Sequence, residues 1–231
     1  MYELYIANKN YSSWSLRPWV LMRELEIPFS ERQQVFKPGS NWSEFRTFSP
    51  TGRVPCLHDG ETIVWDSLAI TEYLAERHAG VWPSDPPARA WARCAAAEMH
   101  SGFAVLRDRC AMSCGVRVRL HERPAALESD VRRIAELWAQ GLERFGGPFL
   151  AGRMFTGVDA FYAPVAFRVQ TYGLELPEPG ASWVARLLQR PSMQAWYAAA
   201  LQEPWRDEPH EEEIRQAGSC LADLRVLRNE G

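Results

Sequence analysis

Long apolar runs are missing from this chain: none approaches the ~20 residues that a membrane-spanning helix needs. A basic bias is missing too. The 26 Lys and Arg residues are interspersed with 29 Asp and Glu, for a net charge of −3. That argues against a general nucleic-acid or membrane-surface binder. Cysteine is sparse and unpatterned. Cys56, Cys94, Cys110, Cys114 and Cys220 are odd in number and include no CxxC, so neither a disulfide framework nor a zinc ribbon is expected. Cys110 and Cys114 would share one face of a helix, but as a metal pair they lack partners. They read as two small, half-buried side chains. No clustered histidines occur, which sets aside a metal hydrolase, and no metal is expected. Met1 to Asn10 lacks the basic start and apolar core of a signal peptide, so a cytoplasmic location is the expectation. There is no internal repeat.

What is present suits a soluble globular protein. The 231 residues are 46% hydrophobic and 24% charged, enough for one large domain or two ordinary ones. Tyr2 to Ala7 reads as a strand with Leu4 and Ile6 on one face. Leu16, Trp19 and Val20 follow helical spacing from about Ser15, with Leu21 and Leu25 as a second apolar edge and Pro18 in the first turn. Glu31 to Phe36 reads as a polar edge strand. Trp42, Phe45 and Phe48 recur at helical spacing. Val54 to His58 reads as a strand, Asp59-Gly60 as a hairpin turn and Thr62 to Trp65 as the returning strand. Asp66 caps a helix carrying Ile70, Tyr73 and Leu74. The first eighty residues therefore read βαβαββα.

The second half changes character. After the breaks at Gly80 and Trp82 to Pro87, the segments Ala88–Ser113, Ala125–Phe145, Val158–Tyr172, Trp183–Leu188 and Met193–Leu201 all read as helices, and no strand is expected among them. Thr156 and Asp159 form a capping box, with Phe155 and Ala160 as a weak staple. Pro164 predicts a kink. The charged stretch from Trp205 reads as loosely packed. The expected organisation is residues 1–79 as an α+β unit, 80–88 as a linker and 89–231 as an all-α domain.

The stretch most suggestive of chemistry is Tyr11-Ser12-Ser13-Trp14-Ser15-Leu16-Arg17. Hydroxyls at a strand-to-helix junction lie beside unpaired backbone N–H groups and suit an anion. The hypothesis is that the anion is a thiolate. Ser13 and Ser15 also suit plain helix capping, and for Ser15 that is the preferred reading.

Four pieces, in order, resemble the cytosolic glutathione S-transferases: Tyr11 to Arg17, Gly52-Arg53-Val54-Pro55-Cys56-Leu57, Asp66 to Leu74 and the Thr156–Asp159 box. Ser12-Ser13 followed by Arg17 is similar to the zeta-class pattern SSCSWR, with Trp14 in place of the cysteine. Glu98 to Phe103 resembles a group of bacterial members. The resemblance implies an N-terminal thioredoxin-like domain followed by a helical domain, and glutathione as co-substrate. A glutathione thiol titrates near roughly 8.5, so it must be made into a thiolate to attack. A serine is too weak a base for this, but its hydroxyl can donate to the sulfur anion, with helix N–H groups adding to the effect. Ser12 is the first candidate, Ser13 the second and the Tyr11 phenol a competitor. Val54-Pro55, held cis in the family, would present the Val54 backbone to the cysteinyl unit. Ser67 would donate to the γ-glutamyl carboxylate and Asp66 would hold the ammonium. Arg53 and Lys37 are candidates for the glycyl carboxylate, and Arg17 has a structural role tying down the first helix. Met99, His100, Phe103, Leu106 and Met112 are candidates for the second-substrate pocket, although helix core is the preferred reading of each one singly, and His100 has no acid partner in view. The expected activity is attack of the thiolate on a small hydrophobic electrophile, in a C2 homodimer. The rival expectations are a glutathione-dependent cis–trans isomerase of maleyl compounds and a non-enzymatic binding protein of the same fold.

Overall fold

The computed structural model describes residues 1–226. Its N-terminal part opens with β1 (Tyr2–Ile6), α1 (Ser13–Glu24), β2 (Phe29–Gln33) and the short α2 (Trp42–Phe45). It closes with β3 (Cys56–Asp59), β4 (Thr62–Val64) and α3 (Ser67–Ala75). The strand order is β2-β1-β3-β4, with β1 parallel to β2 and antiparallel to β3. Leu4 and Ile6 are fully buried on the face that α1 covers. Asp59 pairs with Thr62 across a turn whose Gly60 has φ of 59°, a left-handed conformation that glycine adopts without steric cost. The βαβαββα order is therefore observed. The second strand sits two residues earlier than its polar pattern suggests, because it pairs from Tyr2↔Phe29 to Ile6↔Gln33. Helix α1 begins at Ser13, so Pro18 falls in its second turn.

The C-terminal part contains α4 (Pro86–Ser101), α5 (Ala104–Arg109), β5 (Val116–Leu120), α6 (Ala125–Phe145) and α7 (Gly157–Tyr172). It continues through α8 (Gly180–Leu188), α9 (Pro191–Gln202), α10 (Glu208–Ala217) and β6 (Gly218–Asp223). Helix α7 is the hub. It runs unbroken through Pro164, is buried over most of its length and packs against α1 and α4. Its capping box forms: the Asp159 carboxylate accepts from the Thr156 N–H at 3.0 Å and from the Thr156 hydroxyl at 3.3 Å. The same carboxylate also takes the Leu150 N–H at 2.9 Å and the Trp183 indole N–H at 3.2 Å. One buried side chain thus ties the start of α7 to the preceding loop and to α8.

Three expectations are corrected here. The helix over 88–113 is two helices, broken at Gly102 and Phe103, and Phe103 takes a left-handed φ of 57°. Met112 and the pair Cys110 and Cys114 therefore lie beyond α5 in a loop, not on a helix face. The C-terminal half is not all helical, because β5 and β6 form a two-stranded antiparallel sheet. Val116-Arg117-Val118-Arg119 alternates as a strand should, with both valines buried. The charged stretch from Trp205 is also not loose up to residue 226: it forms α10 and β6, and Ile214 and Arg225 are buried. Positions 227–231 of that expectation lie outside the described residues.

Candidate active site

The junction between β1 and α1 is held from several sides. The Tyr11 and Ser12 N–H groups both donate to the Asn8 carbonyl, at 3.1 and 2.9 Å. The Glu203 carboxylate, just after α9, accepts from the Lys9 N–H at 2.7 Å and the Asn10 N–H at 3.2 Å. The turn that carries the serines is thereby fixed to the C-terminal half. Ser12 is the N-cap of α1, but its side chain does not cap the helix. Its hydroxyl donates instead to Ser15 Oγ at 2.7 Å, and Ser15 Oγ accepts the Ala7 N–H at 3.2 Å. Ser15 therefore closes the end of β1 rather than capping α1. Ser13, the first residue of the helix, is half-buried and opens to the cleft.

Two adjoining hollows meet over this junction. One, of about 510 Å³, is lined by Ser12, Ser13, Phe36, Met112, Arg107 and Arg168, with His210 and Glu213 from α10. The other, of about 660 Å³, is lined by Thr51, Pro55, Trp65, Asp66 and His100. Trp14, Trp42, Arg53 and Val54 line both, so the two adjoin as one cleft. The Val54-Pro55 peptide bond is cis. Asp66 caps α3, its Oδ1 taking the Leu68 N–H at 2.9 Å. Ser67 is fully buried behind it, and its hydroxyl has no partner among the described residues.

The sequence candidates fall into two groups. Ser12, Ser13, Arg53, Val54, Pro55, Asp66, His100 and Met112 come together in the cleft, with Ser67 just behind it. Lys37 does not join them: it is exposed and its Nζ pairs with Glu44 at 2.8 Å. Met99 and Leu106 are fully buried in the core, and Phe103 borders a separate hollow beside Glu98 and Asp130. None of the three lines the cleft. His100 is better placed than its sequence neighbourhood suggests. Its Nε2 lies 3.3 Å from Asp66 of the other half. Burial holds its pKa below the usual histidine value, with Asp66 pulling it back up and Arg17 and Arg107 adding to the depression.

Tyr11 is engaged elsewhere. Its hydroxyl donates to Glu211 at 2.6 Å and accepts from Arg225 at 3.1 Å. Burial first, and then the Glu211 contact, push the phenol well above its ordinary pKa. The Tyr11 ring stacks on His210, which also stacks on Phe36. Residues from α10 and the segment after it therefore wall the cleft beside the serines.

Reading the sequence missed Arg107 and Arg168. Arg107 lies on α5 and gives one nitrogen to the Met99 and His100 carbonyls. Arg168 lies on α7 and donates its Nε–H to the Cys110 carbonyl at 2.8 Å. Arg17, behind them, is buried against the faces of Trp14 at 4.1 Å and Phe161 at 4.9 Å. No local pattern marks Arg168, because only the packing of α7 across α1 brings it to the cleft.

The family model described as "Glutathione S-transferase, N-terminal domain" matches residues 11–77, and "Glutathione S-transferase, C-terminal domain" matches residues 72–199. The chain belongs to the glutathione S-transferase family. Glutathione S-transferase GstB of Escherichia coli K12 is 26% identical over 210 residues, covering 85% of this chain and 92% of that protein. A theta class glutathione S-transferase from the citrus canker pathogen Xanthomonas axonopodis pv. citri, solved with glutathione bound, aligns with a TM-score of 0.63 at 27% identity. That alignment covers 85% of this chain and 96% of the solved one. Rat maleylacetoacetate isomerase is 24% identical over 190 residues, covering 80% of this chain and 86% of that protein. The matched regions of this glutathione S-transferase include the serine junction, the cis Val54-Pro55 pair and the Asp66 cap. They end before α10, which supplies His210 and Glu213.

Proposed function

We propose that the chain binds glutathione along Val54, Asp66 and Ser67 and holds its sulfur as a thiolate at Ser12 for attack on an electrophile. The observation that carries this reading is that the serine-bearing N-terminus of α1 opens into the same cleft as Val54-Pro55 and the capped start of α3. The Ser12 hydroxyl donates to Ser15 Oγ. A hydroxyl turns freely about its Cβ–Oγ bond, so it can be redirected to an arriving sulfur. Donation to the anion, together with the first N–H groups of α1, favours the ionised thiol without a base or a metal. The orphaned Ser67 hydroxyl and the start of α3 suit the γ-glutamyl carboxylate, and Asp66 suits the ammonium. Arg53 is the remaining candidate for the glycyl carboxylate. Similarity to the theta class structure with bound glutathione supports the tripeptide as ligand. A cytoplasmic C2 homodimer acting on small electrophiles is the setting that the family resemblance implies.

Titration calorimetry with glutathione should give one site per chain, and a chloronitrobenzene should be conjugated above the uncatalysed rate. Absence of binding at millimolar glutathione would favour a non-enzymatic role for the fold. The second reading, cis–trans isomerisation of a maleyl compound with glutathione recycled, is favoured by the rat isomerase similarity and the Ser12-Ser13…Arg17 pattern. A product assay with a maleylated diacid separates the two. Tyr11 takes no part in either. Tyr11→Phe is expected to lower stability by about 1–2 kcal/mol, through the lost bonds to Glu211 and Arg225, while leaving the pKa of the bound thiol where it was. A raised thiol pKa in that variant would return the phenol to candidacy.

A further inference from the structure

The cleft contains more positive charge than a tripeptide and an apolar electrophile require. Arg107 and Arg168 line the hollow that holds Ser12 and Ser13, the outer hollow, and not the one lined by Asp66 and His100. Arg17 lies behind the Trp14 ring and is only 2% exposed. The Arg107 guanidinium also faces that ring, at 4.8 Å. None of the three forms an ion pair among the described residues. Arg17 Nε and Nη1 and Arg107 Nε are buried without a hydrogen-bond partner among the described residues. Arg168 makes a single bond, to a carbonyl. Glu213 borders the same hollow, and Asp66 is the nearest acid that Arg17 senses, but neither is within pairing distance of these guanidinium groups.

Buried guanidinium groups are ordinarily paired, because leaving one without a counter-charge is costly. Three together also repel one another. Burial, followed by their mutual repulsion, depresses Arg17 and brings Arg168 down to about 10. A protein that only needed these positions filled would lose nothing by placing apolar side chains there. A planar fork of donors facing an open hollow matches a carboxylate bidentately.

We propose that the second substrate carries a carboxylate, bound in the outer hollow by Arg107 and Arg168, with its electrophilic carbon toward Ser12 and Ser13. Arg17, held against Trp14, adds positive potential without touching the ligand. Met112 and Ala111 form the apolar wall along which the body of the substrate lies. The substrate class is thereby an anionic electrophile rather than a purely hydrophobic one. This inference rests on the proposed glutathione site, since the carboxylate is placed relative to the sulfur.

Two glutathione conjugates of equal shape test it without requiring turnover: S-(4-carboxybenzyl)glutathione and its neutral carboxamide analogue, titrated by calorimetry alongside glutathione itself. The carboxylate conjugate should bind at least about tenfold more tightly than the amide, as one charge-assisted bidentate contact allows. That preference should shrink as salt is raised. Arg107→Gln and, separately, Arg168→Lys should each reduce the preference several-fold while leaving glutathione affinity within about twofold. Thermal melts identify a variant that has lost its fold, and because the two substitutions lie on different helices, either one alone decides the matter. Equal affinity of wild type for the two conjugates, with glutathione binding intact, would overturn the carboxylate subsite and leave the proposed function standing. Failure of glutathione and both conjugates to bind would remove the proposed function and this inference together.

Discussion

Ser12→Ala should raise the pKa of enzyme-bound glutathione by about 1–2 units and cut turnover roughly 10- to 100-fold, the range for losing one hydrogen bond to a charged group. The thiolate's ultraviolet absorbance, followed against pH in the binary complex, gives the first quantity, and conjugation of a chloronitrobenzene gives the second. The two should move together, because the hydroxyl acts by favouring the anion that attacks. Ser12 also donates to Ser15, which holds the Ala7 N–H at the end of β1, so a melt of the variant belongs with the kinetics. A variant that melts normally and loses activity has lost the thiolate contact rather than the junction. Ser13→Ala is the comparison. Ser13 opens to the same hollow, and if its removal raised the thiol pKa more than removal of Ser12, the donor would be Ser13.

Asp159→Ala should destabilise the protein by about 3–5 kcal/mol, which for a chain of this size lowers the melting temperature by roughly 10 °C. The carboxylate satisfies the Leu150 and Thr156 N–H groups, the Thr156 hydroxyl and the Trp183 indole. Alanine leaves these buried donors with nothing to bind. The effect has a definite pH dependence. Burial outweighs the donors and pushes the Asp159 carboxyl up to about 6, above its value in an unfolded chain, about 3.9. The native state therefore holds a proton that the unfolded chain has released, and the resulting stabilisation is complete below about pH 4 and lost as pH rises through about 6. Destabilisation by the alanine substitution should consequently be larger near pH 5 than near pH 8. A gap independent of pH would mean that Asp159 is ionised throughout.

Much of the N-terminal half could be read from the sequence because its signals are local. Asp59-Gly60 specifies a hairpin turn, Asp66 caps the helix that follows it, and Leu4 with Ile6 marks the buried face of a central strand. The Thr156–Asp159 box was equally visible, though not its further bonds to Leu150 and Trp183, which depend on where the chain returns. Val116-Arg117-Val118-Arg119 carried a strand alternation that lay in plain view. It was passed over because its partner, β6, is about a hundred residues away and has no hydrophobic pattern of its own. The break at Gly102 and Phe103 was hidden for a different reason: the helical spacing of apolar residues continues across it. That continuity misplaced Phe103 and Met112, while the acid partner of His100 lies in the other half. Arg107 and Arg168 are surface-like residues by composition, and only the packing of α5 and α7 makes them part of the cleft.

The bond from Arg225 to the Tyr11 hydroxyl spans 214 positions. It gives the cleft an order of assembly during synthesis. The four-stranded sheet and the serine junction leave the ribosome first. The wall formed by His210 and Glu213, and the arginine that fastens Tyr11 in place, arrive only after α9 has been made. A chain interrupted before α10 carries the serine junction but lacks His210 and Glu213, so that side of the cleft is walled only once α10 has been made.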